Sequence, residues 1–230
     1  MASPRVIPLS LGIARAYLVI DERPILVDAG PPRSERRLLR AIEAEGVNPD
    51  EIALLLLTHA HTDHFGGLPA VKARCGAPVA VQRLAAPALQ RGVNESMRPV
   101  SALGHIFRLI ASSSAHGPRV DADIIVNDEL SLREFGVAGR AISTPGHTPG
   151  SLSVVLDNGE VIIGDLLMGS FIRRHRPMLP FFADDVAQLR RSLSRLLEME
   201  PKRIYASHGR EFDCQHIIEQ LMLEATEGEG

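Results

Sequence analysis

The sequence has no tryptophan, few aromatic residues and only two cysteines, Cys75 and Cys214. Aromatic residues make up 4% of the chain, which argues against the stacking platforms that bind single-stranded nucleic acids. Neither cysteine belongs to a CxxC pair, so the spacing does not indicate a disulfide framework. We therefore expect the two thiols to be buried or surface bystanders, ahead of metal ligands.

Long apolar runs and an excess of one charge sign are also missing. The net charge is −3, which does not indicate a nucleic-acid or anionic-membrane partner. No stretch approaches the roughly 20 apolar residues that span a bilayer. The N-terminal segment is interrupted by Arg5 and Arg15 and lacks the apolar core of a signal peptide. We expect a cytoplasmic protein that acts on a small molecule, without a nucleic-acid or membrane partner.

The 230 residues contain 45% apolar side chains, enough to bury a sizeable core, and we expect a single domain over residues 1–230. Short apolar runs predict strands at ARAYLVI, PILVDAG, IALLLLTH, APVAVQ and KRIYASHG, the last taken as the final strand. SLSVVLDNGEVIIGD predicts a hairpin with a primed turn at Asn158-Gly159. Helical spacing appears in RSERRLLRAIEAEG and in DDVAQLRRSLSRLLEME, where Asp184 is the expected N-cap. The order predicts an α/β fold with two sheets packed face to face and helices outside.

Residues 84–120 interrupt this rhythm between two predicted strands. Leu103, Ile106, Phe107 and Ile110 fall on one face of a possible helix. A connection this long is often a functional lid or an insertion. We expect a helical lid or insertion here, and a surface helix that covers the core is an equal alternative.

A cluster of metal-binding side chain types follows the apolar run IALLLL. The stretch THAHTDH contains His59, His61, Asp63 and His64 within six residues. Imidazole nitrogens and carboxylate oxygens are the ligands of zinc and similar metals. His59 and His61 are two residues apart, so in an extended segment both side chains leave the same face and suit one ion. Asp63 and His64 then point elsewhere, toward a possible second ion.

Three residues of the same types lie further along the chain. His147 lies between two Pro-Gly turns in STPGHTPGS, which would hold it on a rigid loop. Asp165 follows the apolar run VIIG, where a buried carboxylate is costly without a cation or strong partners. His208 follows IYAS at another predicted strand end. Taken singly, His147 or His208 could have a structural role in the core. Together with the first cluster, these three residues predict one site at one edge of the sandwich.

The ordered motifs resemble those of the metallo-β-lactamase superfamily. The resemblance rests on THAHTDH, TPGHTPGS, the Gly-Asp pair at 164–165, SHG at 207–209 and an opening LVDAG at 26–30. It extends from about residue 6 to residue 210. It implies a four-layer αββα sandwich with a metal site at one edge of the two sheets.

The resemblance also implies a ligand set for two divalent metal ions, with zinc expected and iron or manganese as alternatives. His59, His61 and His147 would bind the first metal. Asp63, His64 and His208 would bind the second, and Asp165 would bridge the two. Asp28, in the opening motif, would orient a ligand from behind. Because Asp165 stands where some true β-lactamases have a cysteine, the pattern is more similar to the glyoxalase II and lactonase branches.

This ligand set implies hydrolysis. A divalent metal lowers the pKa of a bound water from about 15.7 to about 7, so hydroxide forms at neutral pH. We expect this hydroxide, bridging the metals, to attack the carbonyl of a small thioester, lactone or ester. Asp63 is the expected catalytic residue, because it can orient the hydroxide and take or relay its proton.

Two other activities stay open from the sequence. Persulfide dioxygenases of the same superfamily use a single iron on the first three histidines, and metal content with oxygen consumption would distinguish them. A phosphodiesterase or nuclease would share the same site. The acidic balance of the chain and the absence of a basic stripe argue against a nuclease.

The substrate contacts are expected in residues 168–185, which follow Asp165. Arg173, Arg174 and His175 are candidates for binding an anionic group, with a solvated basic turn as the alternative. Phe171 is a candidate for lining an acyl pocket. The apolar residues of this segment could instead pack in the core or at the contact of a possible homodimer.

Overall fold

Two six-stranded sheets form the centre of the computed structural model, which describes residues 3–111, 116–170, 176–215 and 217–218. The first sheet has the spatial order β1 Arg5–Ser10, β2 Arg15–Ile20, β3 Pro24–Val27, β4 Leu55–Leu56, β5 Val79–Gln82 and β6 Ile124–Val126. The second has the order β14 Glu211–Phe212, β13 Arg203–Tyr205, β10 Glu160–Ile162, β9 Leu152–Leu156, β8 Gly139–Ser143 and β7 Glu129–Ser131. A small hairpin pairs β11 Met168–Gly169 with β12 Pro177–Met178.

Helices connect the parallel strands of the first sheet. The strands β3, β4, β5 and β6 are parallel neighbours. Their crossovers contain α1 Glu35–Ala44, α2 Thr62–Phe65, α3 Leu68–Cys75, α4 Ala86–Arg91 and α5 Ala102–Ala111. In the second sheet, α6 Val186–Leu197 precedes β13, which pairs with β10 in parallel. Because parallel strands end at the same edge, the residues that follow β3 and β4 lie side by side there.

Three hydrophobic clusters separate four layers of structure. In the run before the histidine cluster, Leu55 and Leu57 pack with residues of α1 and α3, whereas Leu54 and Leu56 pack between the sheets. This alternation is the period of two expected for a strand that is buried on both faces. On the far side, Leu189 of α6 packs against residues of the second sheet. The predicted αββα sandwich is confirmed.

Several predicted elements are confirmed with corrections at their ends. The hairpin of β9 and β10 forms, but only Gly159 of the predicted turn pair has a positive φ, at 89°, so the turn is not type I′. The N-cap of α6 is Asp185 rather than Asp184, because the side chain of Asp185 accepts the backbone N–H of Gln188. The strand at Arg203–Tyr205 is not the last, since β14 follows it.

The segment 84–120 contains α4 and α5, separated by an irregular stretch. Leu103 and Ile106 of the predicted helical face are exposed, at 48% and 58% of their surface. Phe107 contacts the ring of Phe181, with the ring centroids 5.1 Å apart. Among the described residues, no helix is both long enough and apolar enough to cross a bilayer.

Candidate metal centre

Seven side chains of the predicted site meet at one edge of the sandwich. They fall into three groups in which the potential ligand atoms all lie within 4.8 Å of one another. The groups are His59, His61 and His147; His59, His64 and Asp165; and Asp63, His64 and His208. The loop after β4 and the short helix α2 supply four of these residues, and loops after β8, β10 and β13 supply the other three.

The first set consists of three buried imidazoles whose inner nitrogens face one another. His59 Nε2 lies 3.0 Å from His61 Nδ1, which lies 3.2 Å from His147 Nε2. The outer nitrogens contact backbone carbonyl oxygens. His147 Nδ1 lies 2.8 Å from the carbonyl of Phe182, and His61 Nε2 lies 3.3 Å from the carbonyl of Ser96. Because carbonyls only accept, these outer nitrogens carry the protons and the inner nitrogens present lone pairs.

The lone pairs of the first set need a cation to stabilise them. His59 Nδ1 contacts the hydroxyl of Thr58 at 3.1 Å, and that hydroxyl donates to a carboxylate, so the Nε2 atom of His59 also faces inward unprotonated. Burial and the neighbouring histidines lower the pKa of His61 to about 3 and hold the pKa of His59 well below its usual value. Neutral imidazoles are the form that a metal ion binds.

The second set consists of Asp63, His64 and His208, so it contains one carboxylate. His208 Nε2 lies 3.2 Å from Asp63 Oδ2, and His64 Nε2 lies 3.8 Å from the same oxygen. Burial lowers the pKa of His208, but Asp165 and Asp63 outweigh it and raise that pKa to about 10. In the chain without metal, protons therefore hold this set together, and a divalent cation would displace them.

Asp165 lies between the two sets. Its Oδ2 is 3.3 Å from His208 Nε2, 3.6 Å from His64 Nε2, and 3.7 Å from His147 Nε2. A single oxygen therefore lies near ligand nitrogens of both sets, as an oxygen shared by two ions would.

Two buried atoms test whether these residues fit a metal. His64 Nε2 and Asp165 Oδ1 are buried and have no hydrogen-bond partner among the described residues. Unpaired buried polar atoms are costly and uncommon in native structures. His64 Nε2 points into the second set, and the donor types are those that zinc prefers. The residues therefore fit a divalent cation, as a metal-binding role requires.

Asp28 lies behind His64. Its Oδ2 accepts the Nδ1–H of His64 at 2.8 Å, which fixes the proton on the outer nitrogen. Its Oδ1 accepts the backbone N–H of Thr58 at 2.8 Å. Asp28 has a φ of +62°, a conformation that aspartate tolerates better than most side chains. The bend turns the carboxylate from the end of β3 toward the neighbouring strand end.

A family model described as "Metallo-beta-lactamase superfamily" matches residues 9–208. The chain belongs to the metallo-β-lactamase superfamily. It is similar to "Probable metallo-hydrolase YflN" of Bacillus subtilis (strain 168), with 24% identity over 217 residues, which cover 87% of this chain and 82% of that protein. It is also similar to "Hydroxyacylglutathione hydrolase" of Acidiphilium cryptum (strain JF-5), with 27% identity over 198 residues, which cover 84% of this chain and 65% of that protein.

Among solved structures, the chain resembles the BLEG-1 B3 metallo-β-lactamase. The TM-score is 0.72, and the match covers 94% of this chain and 97% of that one. The identity is 20%, so this likeness shows the fold alone. The edge of the sandwich that carries the histidine cluster is thus the candidate metal site of a superfamily member.

Glu95 is part of the site of this superfamily member, although the sequence did not indicate it. Its Oε2 accepts the backbone N–H of Ala60 at 2.8 Å and the hydroxyl of Thr148 at 3.1 Å. Its Oε1 accepts the backbone N–H of Gly150 at 3.0 Å. Burial raises the pKa of Glu95, and these three hydrogen bonds oppose the rise. A single glutamate in the polar stretch VNESMRP carries no periodic or motif signal that could have revealed these contacts.

The predicted substrate contacts of this superfamily member are in the segment after Asp165. Arg173, Arg174, His175 and Phe171 fall within 171–175, outside the described residues. The described residues on either side form the hairpin of β11 and β12. The backbone N–H of Gly169 in β11 donates to the carbonyl of the candidate ligand His208 at 2.6 Å.

Proposed function

We propose that the chain is a dinuclear metal-dependent hydrolase, with zinc as the metal, that cleaves a small thioester, lactone or ester. The observation that carries this proposal is the pair of facing ligand sets that both approach the Oδ2 atom of Asp165. A single three-histidine set would suit one ion, as in a mononuclear iron dioxygenase. The second set, with the orphaned Nε2 atom of His64, supports a second ion.

In this proposal, His59, His61 and His147 would hold the first ion, Asp63, His64 and His208 would hold the second, and Asp165 would contribute to both. Two zinc ions would supply Lewis acidity toward a carbonyl oxygen and lower the pKa of a water molecule. The buried imidazoles keep bulk water away from the inner side of the site, which strengthens electrostatic interactions there.

Asp63 is the residue that we propose as the proton acceptor. At 28% exposure, its side chain is the most accessible of the seven candidate ligands. It can therefore reach a water molecule that arrives with the substrate, orient it and take its proton as the oxygen bonds to the carbonyl carbon. The bond from that carbon to sulfur or oxygen then breaks, and the leaving thiolate or alkoxide takes up a proton.

The proposed substrate class follows from one similar protein and from the charge of the chain. A hydroxyacylglutathione hydrolase is among the similar proteins, which favours a thioester. The net charge of −3 favours a small molecule over the phosphate backbone of a nucleic acid. We therefore rank thioesters and lactones first and phosphodiesters below them.

Elemental analysis followed by a substrate panel tests the proposal. We expect about two zinc per chain and turnover of a thioester or lactone ahead of phosphodiesters and β-lactams. His61→Ala should reduce turnover more than about 100-fold, because ligand loss should exceed the 10–100-fold effect of losing an outer partner. His105→Ala, which changes an exposed histidine of α5, is the matched control and should keep full activity. Turnover that survives His61→Ala, or one iron per chain with oxygen consumption, would contradict it.

A further inference from the structure

We propose that Glu95 is a positioning residue that fixes the first ligand set by joining the two loops that carry it. This inference rests on the proposed metal site. Ala60 lies between His59 and His61, and Thr148 and Gly150 follow His147. One carboxylate accepts hydrogen bonds from all three residues, at 2.8, 3.1 and 3.0 Å. The spacing between the first two histidines and the third therefore depends on this side chain.

The loop after His147 is shaped around the carboxylate. A Cβ atom on Gly150 would lie 2.7 Å from Glu95 Oε1 and 2.5 Å from the backbone nitrogen of Ala85. Only glycine lets the backbone come this close, so position 150, the second glycine of STPGHTPGS, requires glycine in this structure. The backbone N–H of Gly150 reaches Glu95 because no side chain stands between them.

The residues on either side of Glu95 contact the same loop. The side chain of Asn94 accepts the backbone N–H of Thr62 at 2.7 Å, at the start of α2. The carbonyl of Ser96 faces His61 Nε2 at 3.3 Å. The backbone N–H of Glu95 donates to the carbonyl of Ala60 at 3.0 Å. Three consecutive residues of the 84–120 segment therefore hold the first histidine loop in place.

The same segment reaches the support of His147 from the other direction. The carbonyl of Arg98 accepts the backbone N–H of Ala183, and the backbone N–H of Val100 donates to Phe181. Between Phe181 and Ala183 in the chain, the carbonyl of Phe182 accepts the Nδ1–H of His147 at 2.8 Å. The stretch from residue 94 to residue 100 therefore links the outer contacts of two ligands of the first set.

Glu95→Gln keeps the size of the side chain but removes its charge and one of its two acceptor oxygens. The amide keeps one acceptor oxygen, but its NH₂ group would face an N–H donor of one loop or the other. One loop then loses its backbone hydrogen bond to residue 95, and the spacing between the inner nitrogens changes. Loss of partners behind metal ligands costs 10–100-fold in metal affinity, so we expect a weakening of about that size.

Zinc titration against a competing chelator tests the inference in the wild-type chain, in Glu95→Gln and in a control, Glu160→Gln. Glu160 is a partly buried carboxylate that accepts hydrogen bonds from Tyr205 at 2.7 Å and Asn158 at 3.0 Å, at the opposite end of β10 from the site. In Glu95→Gln, one binding step should weaken about 10–100-fold while the other changes less than about threefold. Glu160→Gln should bind zinc like the wild type.

Cobalt substitution adds a spectroscopic readout, because cobalt d–d bands report the geometry of the bound ion. We expect the bands to change in Glu95→Gln and to stay unchanged in Glu160→Gln. Zinc affinity and cobalt spectra in Glu95→Gln that match those of Glu160→Gln would overturn the inference and leave the proposed function standing. A wild-type chain that binds no metal would overturn both.

Thr148→Val carries the test if Glu95→Gln does not fold. Valine keeps the shape of threonine and removes the hydroxyl, which donates to Glu95 and also contacts the hydroxyl of Ser151 at 3.0 Å, while both backbone hydrogen bonds to Glu95 remain. We expect the same binding step to weaken by at least about threefold, since one of the three anchors is lost. Wild-type zinc affinity in this variant would then overturn the inference.

Discussion

The ligand rings of the site are oriented by hydrogen bonds on their outer sides. His147 and His208 donate their Nδ1–H to the backbone carbonyls of Phe182 and Ile13, each at 2.8 Å. No side-chain substitution at Phe182 or Ile13 removes those acceptors. His64 differs, because its outer partner is the side chain of Asp28 at 2.8 Å. The orientation of His64 is therefore open to a direct test by mutation.

Asp28→Asn should weaken metal binding at the second set about 10–100-fold. The amide has one acceptor oxygen, whereas Asp28 now accepts from His64 and from both donors of Thr58. With its outer acceptor lost, His64 can place a proton on Nε2, the atom that would bind the metal. Zinc titration measures the affinity, and NMR of the histidine nitrogens reports the tautomer. Two equally tight zinc ions in Asp28→Asn would refute this view of His64.

The candidate ligands could be predicted from the sequence because each stands where a strand or turn ends abruptly. His59, Asp165 and His208 all follow apolar runs, and a polar ligand type in such a place has few other uses. Glu95 could not be predicted in this way. Its partners lie 35 to 55 residues away, and its own surroundings in the sequence are those of an ordinary polar loop.

At the scale of elements, α6 shows where sequence reasoning falls short by one residue. Asp184 and Asp185 are adjacent, and both are good N-cap types. Tertiary packing decides which of the two residues caps the helix. A Cβ atom on Gly146 would lie 2.2 Å from the backbone of Leu189, so α6 packs directly on the loop that carries His147. The backbone N–H of Asp185 bonds to Gly146, and its extended φ of −145° then places the carboxylate over the first turn.

Asp185→Ala should cost about 1 kcal/mol of unfolding free energy, as the loss of an N-cap does. In a chain of this size that corresponds to a fall in Tm of about 2–4 °C. Asp184→Ala is the matched control. Among the contacts of the described residues, it loses an ion pair at 3.2 Å with the exposed Arg98, and exposed pairs contribute about 0–1 kcal/mol. Urea unfolding of both variants measures the difference in unfolding free energy. A larger loss of unfolding free energy for Asp184→Ala would show that Asp184 is the N-cap.

Two of the strands that the sequence did not indicate are very short. The strands β7 and β14 have three and two residues, too few to show a period of two. The apolar run at Leu54–Leu57 was predicted as a strand, but only Leu55 and Leu56 belong to β4. Burial on both faces made the run visible, whereas the extent of pairing depends on neighbouring strands that the run does not specify.

At the scale of the whole molecule, the candidate metal site lies where the edges of the two sheets meet. The loops of the first sheet supply His59, His61, Asp63 and His64, and the loops of the second supply the remaining ligand candidates. The three hydrophobic clusters lie between the layers and do not include the site residues. The sandwich therefore does not depend on metal for its main source of stability, the burial of apolar surface.

Removal of metal by a chelator should therefore lower Tm without unfolding the chain at 25 °C. A ligand at 100 times its Kd stabilises the native state by about 2.7 kcal/mol, which at about 2–4 °C per kcal/mol corresponds to a shift of about 5–11 °C for each site. Without metal, Asp63 and Asp165 still bind protonated His208, because the pKa of His208 is raised to about 10 and its positive charge is kept at pH 7. Calorimetry with and without chelator measures the shift, and far-UV circular dichroism reports the fold. Loss of secondary structure on chelation would show instead that the ions organise the sandwich.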